Sequence, residues 1–158
     1  MNIRSATSTD THIISHSLWA NLATEMEPYS EINSIDITEE LLRNVTESFT
    51  HLVEKNALYH LYVVESDEQL VGFIDFEEKV SELMVHNTYI QVRNIYVLPE
   101  YRNQGIGSEL LSEMESHAKK ISADYVEIPV EWNNTEARSF YKQNGYEKKK
   151  IHFTKSYI

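Results

Sequence analysis

The chain has 158 residues, 41% hydrophobic and 25% charged, which suits one domain with a single core, residues 1–158. A net charge of −11 with one short basic run argues against nucleic-acid binding, and no apolar run reaches the roughly 18 residues a membrane span needs. The absence of cysteine excludes disulfides, thiolate zinc sites and an acyl-cysteine intermediate.

Residues 2–6 predict a first strand. Thr9 or Asp10 stands where a helix cap would, ahead of Ile13, Ile14, Leu18 and Leu22 on one face. A loop through Met26, Glu27, Pro28 and Tyr29 follows. Asp36 and Glu39 have capping-box spacing, and the next helix buries Leu41, Leu42, Val45, Phe49 and Leu52. Strands are expected over 58–65 and 70–78, joined by a turn at 66–69, and over 88–98, where Pro99 ends the ladder. A helix is expected from Asn103 to about Ile121, with Ile106, Leu110, Leu111, Met114 and Ala118 at helical spacing. Residues 124–131 read as a strand, although Pro129 lies inside it. Residues 135–144 read as a helix that Gly145 ends in left-handed conformation, and 147–157 as a last strand. The order β-α-α-β-β-β-α-β-α-β describes a mixed α/β sheet. With no apolar stretch after Met1, no secretory signal is expected and the cytoplasm is the default compartment.

Two of the four glycines share one turn, Arg102-Asn103-Gln104-Gly105-Ile106-Gly107-Ser108, between a strand and a helix. The first amides of a helix have no helical partner and, with the helix dipole, attract anions. Arg102 adds a permanent positive charge and Ser108 a hydroxyl, a chemistry suited to a diphosphate. The third glycine of a dinucleotide fingerprint is replaced by Leu110, and the lysine of a phosphate-binding P-loop is missing. A tight strand-to-helix turn alone would also use two glycines.

The surroundings are more specific. Asn94-Ile95-Tyr96-Val97-Leu98-Pro99-Glu100-Tyr101 leads into the turn, and about 23 residues after it comes Asn134-Thr135-Glu136-Ala137-Arg138-Ser139-Phe140-Tyr141-Lys142-Gln143-Asn144-Gly145-Tyr146. This pattern resembles the GNAT superfamily of N-acetyltransferases, in its Arg/Gln-x-x-Gly-x-Gly/Ala turn and its later Asn-x-x-Ala-x-x-x-Tyr-x-x-x-Gly-Phe/Tyr stretch. The resemblance implies a mostly antiparallel central sheet with helices on both faces and splayed fourth and fifth strands. Pro129 would then fall where no ladder bond is needed. It also implies acetyl-CoA as co-substrate, with Ile95, Tyr96 and Val97 offering main chain to the pantetheine arm. Arg102, Asn103, Gln104, Gly105, Ile106, Gly107 and Ser108 would hold the diphosphate. Asn134 would lie near the pantetheine amides, unless it is a plain helix cap, and Tyr141 near the thioester sulfur, unless it is a core aromatic.

The implied reaction is direct attack of a primary amine in a ternary complex, with Tyr141 as general acid. Glu77, Glu78 and Glu131 are candidate bases, each also readable as a surface carboxylate. In that family the first two helices shape the acceptor site. Here Glu25, Glu27, Tyr29 and Glu31 suit a cationic acceptor: a polyamine, an aminoglycoside, or a peptide or protein amine. A non-catalytic acyl-CoA-binding regulatory module is the alternative, and a homodimer stays open. His12 and His16 are four apart, but without the zinc-protease glutamate no metal site is expected.

Overall fold

The computed structural model describes residues 1–29, 36–81, 87–155 and 157; Glu31 lies outside them. Five strands form one sheet in the order β1 (Asn2–Ser5), β2 (Tyr59–Ser66), β3 (Gln69–Val80), β4 (Thr88–Val97), β5 (Tyr125–Glu127). The first four are antiparallel neighbours, and β5 joins β4 in parallel. The β2–β3 hairpin closes at Ser66 and Gln69 through Asp67 and Glu68, both at positive φ (50° and 64°). A two-residue turn of that hand matches the twist of its strands.

Helix α1 runs over residues 11–26, α2 over Glu39–Lys55, α3 over Ile106–Lys120 and α4 over Thr135–Gln143. Successive strand side chains point to opposite faces, so β3 packs helices on both sides of the sheet. Phe73 meets Phe49 of α2 edge-on at 6.2 Å, while Phe76 lies 5.5 Å from His117 of α3. Val63, Val64, Ile74, Ile90, Leu110 and Met114 fill the core with almost no exposure. Among the described residues, no helix is long and apolar enough to cross a membrane.

The structure differs from the sequence reading at four places. Ile14–Trp19 of α1 is π-helical, the Ala20 amide reaching back to the Ser15 carbonyl. The wider turn leaves Ile13 47% exposed, while Ile14 and Leu18 are fully buried. The capping box at Asp36 is not used: Thr38 caps α2, its Oγ1 accepting from the Leu41 amide at 3.1 Å. Residues 128–131 leave the ladder, so β5 stops at Glu127, two residues short of Pro129. The expected last strand is absent: residues 147–155 have no regular structure, and Phe153 is 94% exposed. A strand forms only against an edge that bonds it.

Asp10 holds the N-cap position of α1 without capping its first turn. Its carboxylate instead accepts from the Thr7 amide at 2.8 Å and takes a two-pronged bond from Arg4, each prong 2.9 Å. This ties β1 to α1. The Arg4 hydrogen bond does most to pull the Asp10 carboxyl down from 3.8 to about 2, and burial opposes it. A folded-state value below the unfolded one contributes stability above about pH 4 that is lost as pH falls through about 2. Asp10→Asn should therefore cost about 2 kcal/mol at neutral pH. Urea denaturation at several pH values checks this: the gap between wild type and variant should close between about pH 4 and pH 2. A constant gap would remove the ion pair as the cause.

Candidate active site

The turn between β4 and α3 carries the feature most directly tied to chemistry. Asn103 and Gly105 adopt left-handed conformations, φ 59° and 84°. The Arg102 amide bonds Pro99 O at 3.2 Å, and the Glu109 amide bonds Gly105 O at 3.0 Å. Between them, among the described residues, no amide from 103 to 108 donates to a protein acceptor. These donors stand at the positive end of the α3 dipole. At Gly107 a Cβ would meet Phe140 Cζ at 3.0 Å, so the missing side chain lets α4 dock against the turn. At Gly105 nothing lies within 4 Å of such a position; the requirement there is the positive φ.

The edge of β4 supplies a second set of free main-chain groups. Only Tyr89, Ile90 and Gln91 pair with β5. The Leu98 amide donates to Val71 O at 2.9 Å, which makes Leu98 and Val71 a hydrogen-bonded pair. Antiparallel alternation then turns the amides of Val97 and Ile95 toward the open side, facing the gap left by β5. A bulge at Arg93, between the Asp75–Asn94 and Phe76–Val92 pairs, resets the phase earlier in the strand.

Two polar clusters flank this gap, and the sequence reading missed both. Glu25, at the end of α1, accepts from Arg102 at 2.7 Å and from the Tyr96 hydroxyl at 2.7 Å. Arg102 also donates from Nε to Val97 O at 2.9 Å, and its guanidinium lies 5.3 Å from the Tyr96 ring centre. Nε and Nη2 of the guanidinium are thus held by protein groups. The second cluster centres on Asp75, fully buried, which accepts from the Tyr59 hydroxyl at 2.9 Å and the Asn94 amide at 2.8 Å. Burial pushes its carboxyl up to about 6, against the pull of the Asn94 and Tyr59 bonds. An acidic residue inside the apolar run of β3 was the available signal for this second cluster.

Asn134 caps α4, its Oδ1 accepting from the Ala137 amide at 3.0 Å, while its Nδ2 faces Met26 Sδ at 3.6 Å. Tyr141 lies on the same helix. Burial alone pushes its hydroxyl up to about 12, so it stays protonated at neutral pH. Asn134, Tyr141, Glu131, Glu25 and Tyr29 all line the cleft beside residues 102–108; Glu27, Glu77 and Glu78 do not. Glu77 is bound by Arg93 at 3.1 Å and by Lys79, and Glu78 by His60 and His117.

Residues 57–148 match the family model of the acetyltransferase (GNAT) domain. Over 87 residues the chain is 31% identical to an uncharacterised N-acetyltransferase, YhfO, of Bacillus subtilis, covering 55% of this chain and 58% of that protein. It is 29% identical over 107 residues to an aminoalkylphosphonate N-acetyltransferase of Salmonella typhimurium, 67% of each chain. A possible acetyltransferase from Clostridium difficile shares the fold at TM-score 0.79 and 20% identity, covering 99% of this chain and 97% of that one.

The left-handed turn makes a direct prediction. Gly105→Ala should cost about 1 kcal/mol of stability, and Gly105→Asn less, since asparagine tolerates that conformation. Urea denaturation of the two variants checks it. Equal stability of wild type and Gly105→Ala would show that the turn relaxes without cost.

Proposed function

The chain belongs to the GNAT acetyltransferase family, and on that premise we propose that it transfers an acetyl group from acetyl-CoA to a primary amine, by direct attack in a ternary complex. The observation that carries this reading is the unpartnered run of amides from 103 to 108 beside the open edge of β4. Acetyl-CoA supplies an acetyl group activated as a thioester. The amides at the head of α3 would hold its diphosphate, with a hydroxyl from Ser108. The main chain of Ile95, Tyr96 and Val97 would run alongside the pantetheine arm, and Asn134 would lie near its amides. The fit is chemical: diphosphate oxygens accept, and the amides of the turn are donors without a protein partner.

The protein groups have distinct tasks. The amide of Val97 would polarise the reacting carbonyl. The Tyr141 hydroxyl, protonated at neutral pH, would give its proton to the departing sulfur. An alkylamine has a pKa of about 10.4 and must shed a proton before it attacks. Of the three carboxylates named from the sequence, Glu131 lines the cleft and would take that proton, directly or through water. Arg102 would act by fixing the turn through Glu25 and Val97 O.

The acceptor in this reading is cationic: a polyamine, an aminoglycoside, or a peptide or protein amine. The net charge of −11 favours it.

Thiol release from acetyl-CoA against a panel of amines tests the activity. Turnover with at least one cationic amine is expected. Binding of acetyl-CoA with no release on any amine would favour a regulatory module. Tyr141→Phe should lower kcat by about 100-fold and leave acetyl-CoA binding within about twofold of wild type. Unchanged turnover would take Tyr141 out of the mechanism.

A further inference from the structure

Three residues far apart in sequence meet on the α3 face of the sheet. His60 is on β2, Glu78 on β3 and His117 in the last turn of α3. Their ligand atoms all lie within 4.8 Å of one another. Both Nε2 atoms approach the same carboxylate oxygen of Glu78, at 2.8 Å from His60 and 2.9 Å from His117. None of the three lines the cleft.

We propose that His60, Glu78 and His117 form a binding site for a divalent transition-metal ion of the zinc class, separate from the acetyl-transfer site. The donor set is two imidazole nitrogens and one carboxylate oxygen. Zinc takes these ligands, usually four-coordinate, so a water would complete the shell. Zinc–ligand distances of about 2.0–2.2 Å put neighbouring donors about 3.3 Å apart. The Glu78 oxygen needs to move only a few tenths of an ångström away from each imidazole nitrogen, and the two nitrogens already lie within 4.8 Å of each other. Each ring must present a bare Nε2, which a shift of the ring proton to Nδ1 achieves in a neutral imidazole. Hard cations such as magnesium and calcium prefer all-oxygen shells and are excluded by the two imidazoles.

The surroundings suit a bound ion. The Phe76 ring closes one side, 5.2 Å from the His60 ring and 5.5 Å from the His117 ring, with Tyr62 stacked on it at 5.9 Å. The side chains of His60, Glu78 and His117 remain 21%, 19% and 13% exposed, so an ion and its water can enter. An ion here would staple the end of α3 to β2 and β3, and its role is to stabilise the fold.

The test uses untagged protein stripped with a chelator, then titrated with zinc chloride by calorimetry and thermal unfolding. One ion per chain is expected, with Tm raised by about 5 °C when zinc exceeds its dissociation constant 100-fold. Glu78→Gln, nearly isosteric, and His117→Ala should each weaken binding more than tenfold. The double variant His12→Ala/His16→Ala should bind as wild type does; its stacked imidazoles, 4.0 Å apart on α1, are the competing surface site. Cobalt(II) offers a readout on the wild-type chain alone: four-coordinate visible absorption should appear and vanish on adding zinc. No binding by wild type, or binding lost in the His12/His16 variant and kept in Glu78→Gln, overturns the proposal.

Discussion

Main-chain donors without protein partners are the constraint to which the rest of this structure answers. A buried amide left unpaired costs as much as a lost hydrogen bond, so folded chains pair nearly all of them. Here the amides of 103–108 and the open edge of β4 stand unpaired side by side, with Asn103, Gln104 and Gly105 exposed to solvent. Several local features keep them open. The ladder between β4 and β5 ends at Gln91 and Glu127, and Pro129 follows without an amide hydrogen to extend it. Asn103 and Gly105 take left-handed conformations that swing the chain into α3. Phe140 packs where Gly107 lacks a Cβ, which brings α4, with Asn134 and Tyr141, to the cleft.

The polar clusters beside the gap set direction more than they add stability. Glu25 and Arg102 are both partly exposed, and such pairs contribute about 1 kcal/mol at most. Their value is geometric: one carboxylate joins the end of α1, the end of β4 and the start of the turn. Asp75 works against a larger cost, since it is fully buried and ionises with difficulty. Two donated hydrogen bonds and Arg93 at 3.9 Å offset part of that cost, and Asn94 is held where the β4 bulge begins. Glu25 lies 71 and 77 positions from Tyr96 and Arg102, and Asp75 lies 16 and 19 from Tyr59 and Asn94, so local patterning does not reveal these pairings.

The legible parts of the sequence were those with local causes. Helices α2 and α3 followed from apolar residues at helical spacing, the β2–β3 hairpin from two strand runs around a polar turn, and the turn ahead of α3 from its glycines. The misreadings came where two local signals competed or where a partner was needed. Thr38 and Asp36 could each cap α2, and the Thr38 hydroxyl reached the Leu41 amide. Residues 147–157 read as a strand, but a strand needs a neighbour's edge, and β5 pairs over three residues only.

By itself, then, the sequence determined the succession of elements as far as α4, the turn ahead of α3 and the family, because propensity, glycine placement and motif spacing all act within a few residues of chain. Only the tertiary structure decided which carboxylates face the cleft. Glu131 does, while Glu77 is taken by Arg93 and Lys79, and Glu78 by two histidines 18 and 39 positions away. The physical reason is that a side chain's partners depend on which strands and helices pack side by side, and the register that brings His60, Glu78 and His117 together is a property of the folded sheet, not of any segment of the chain.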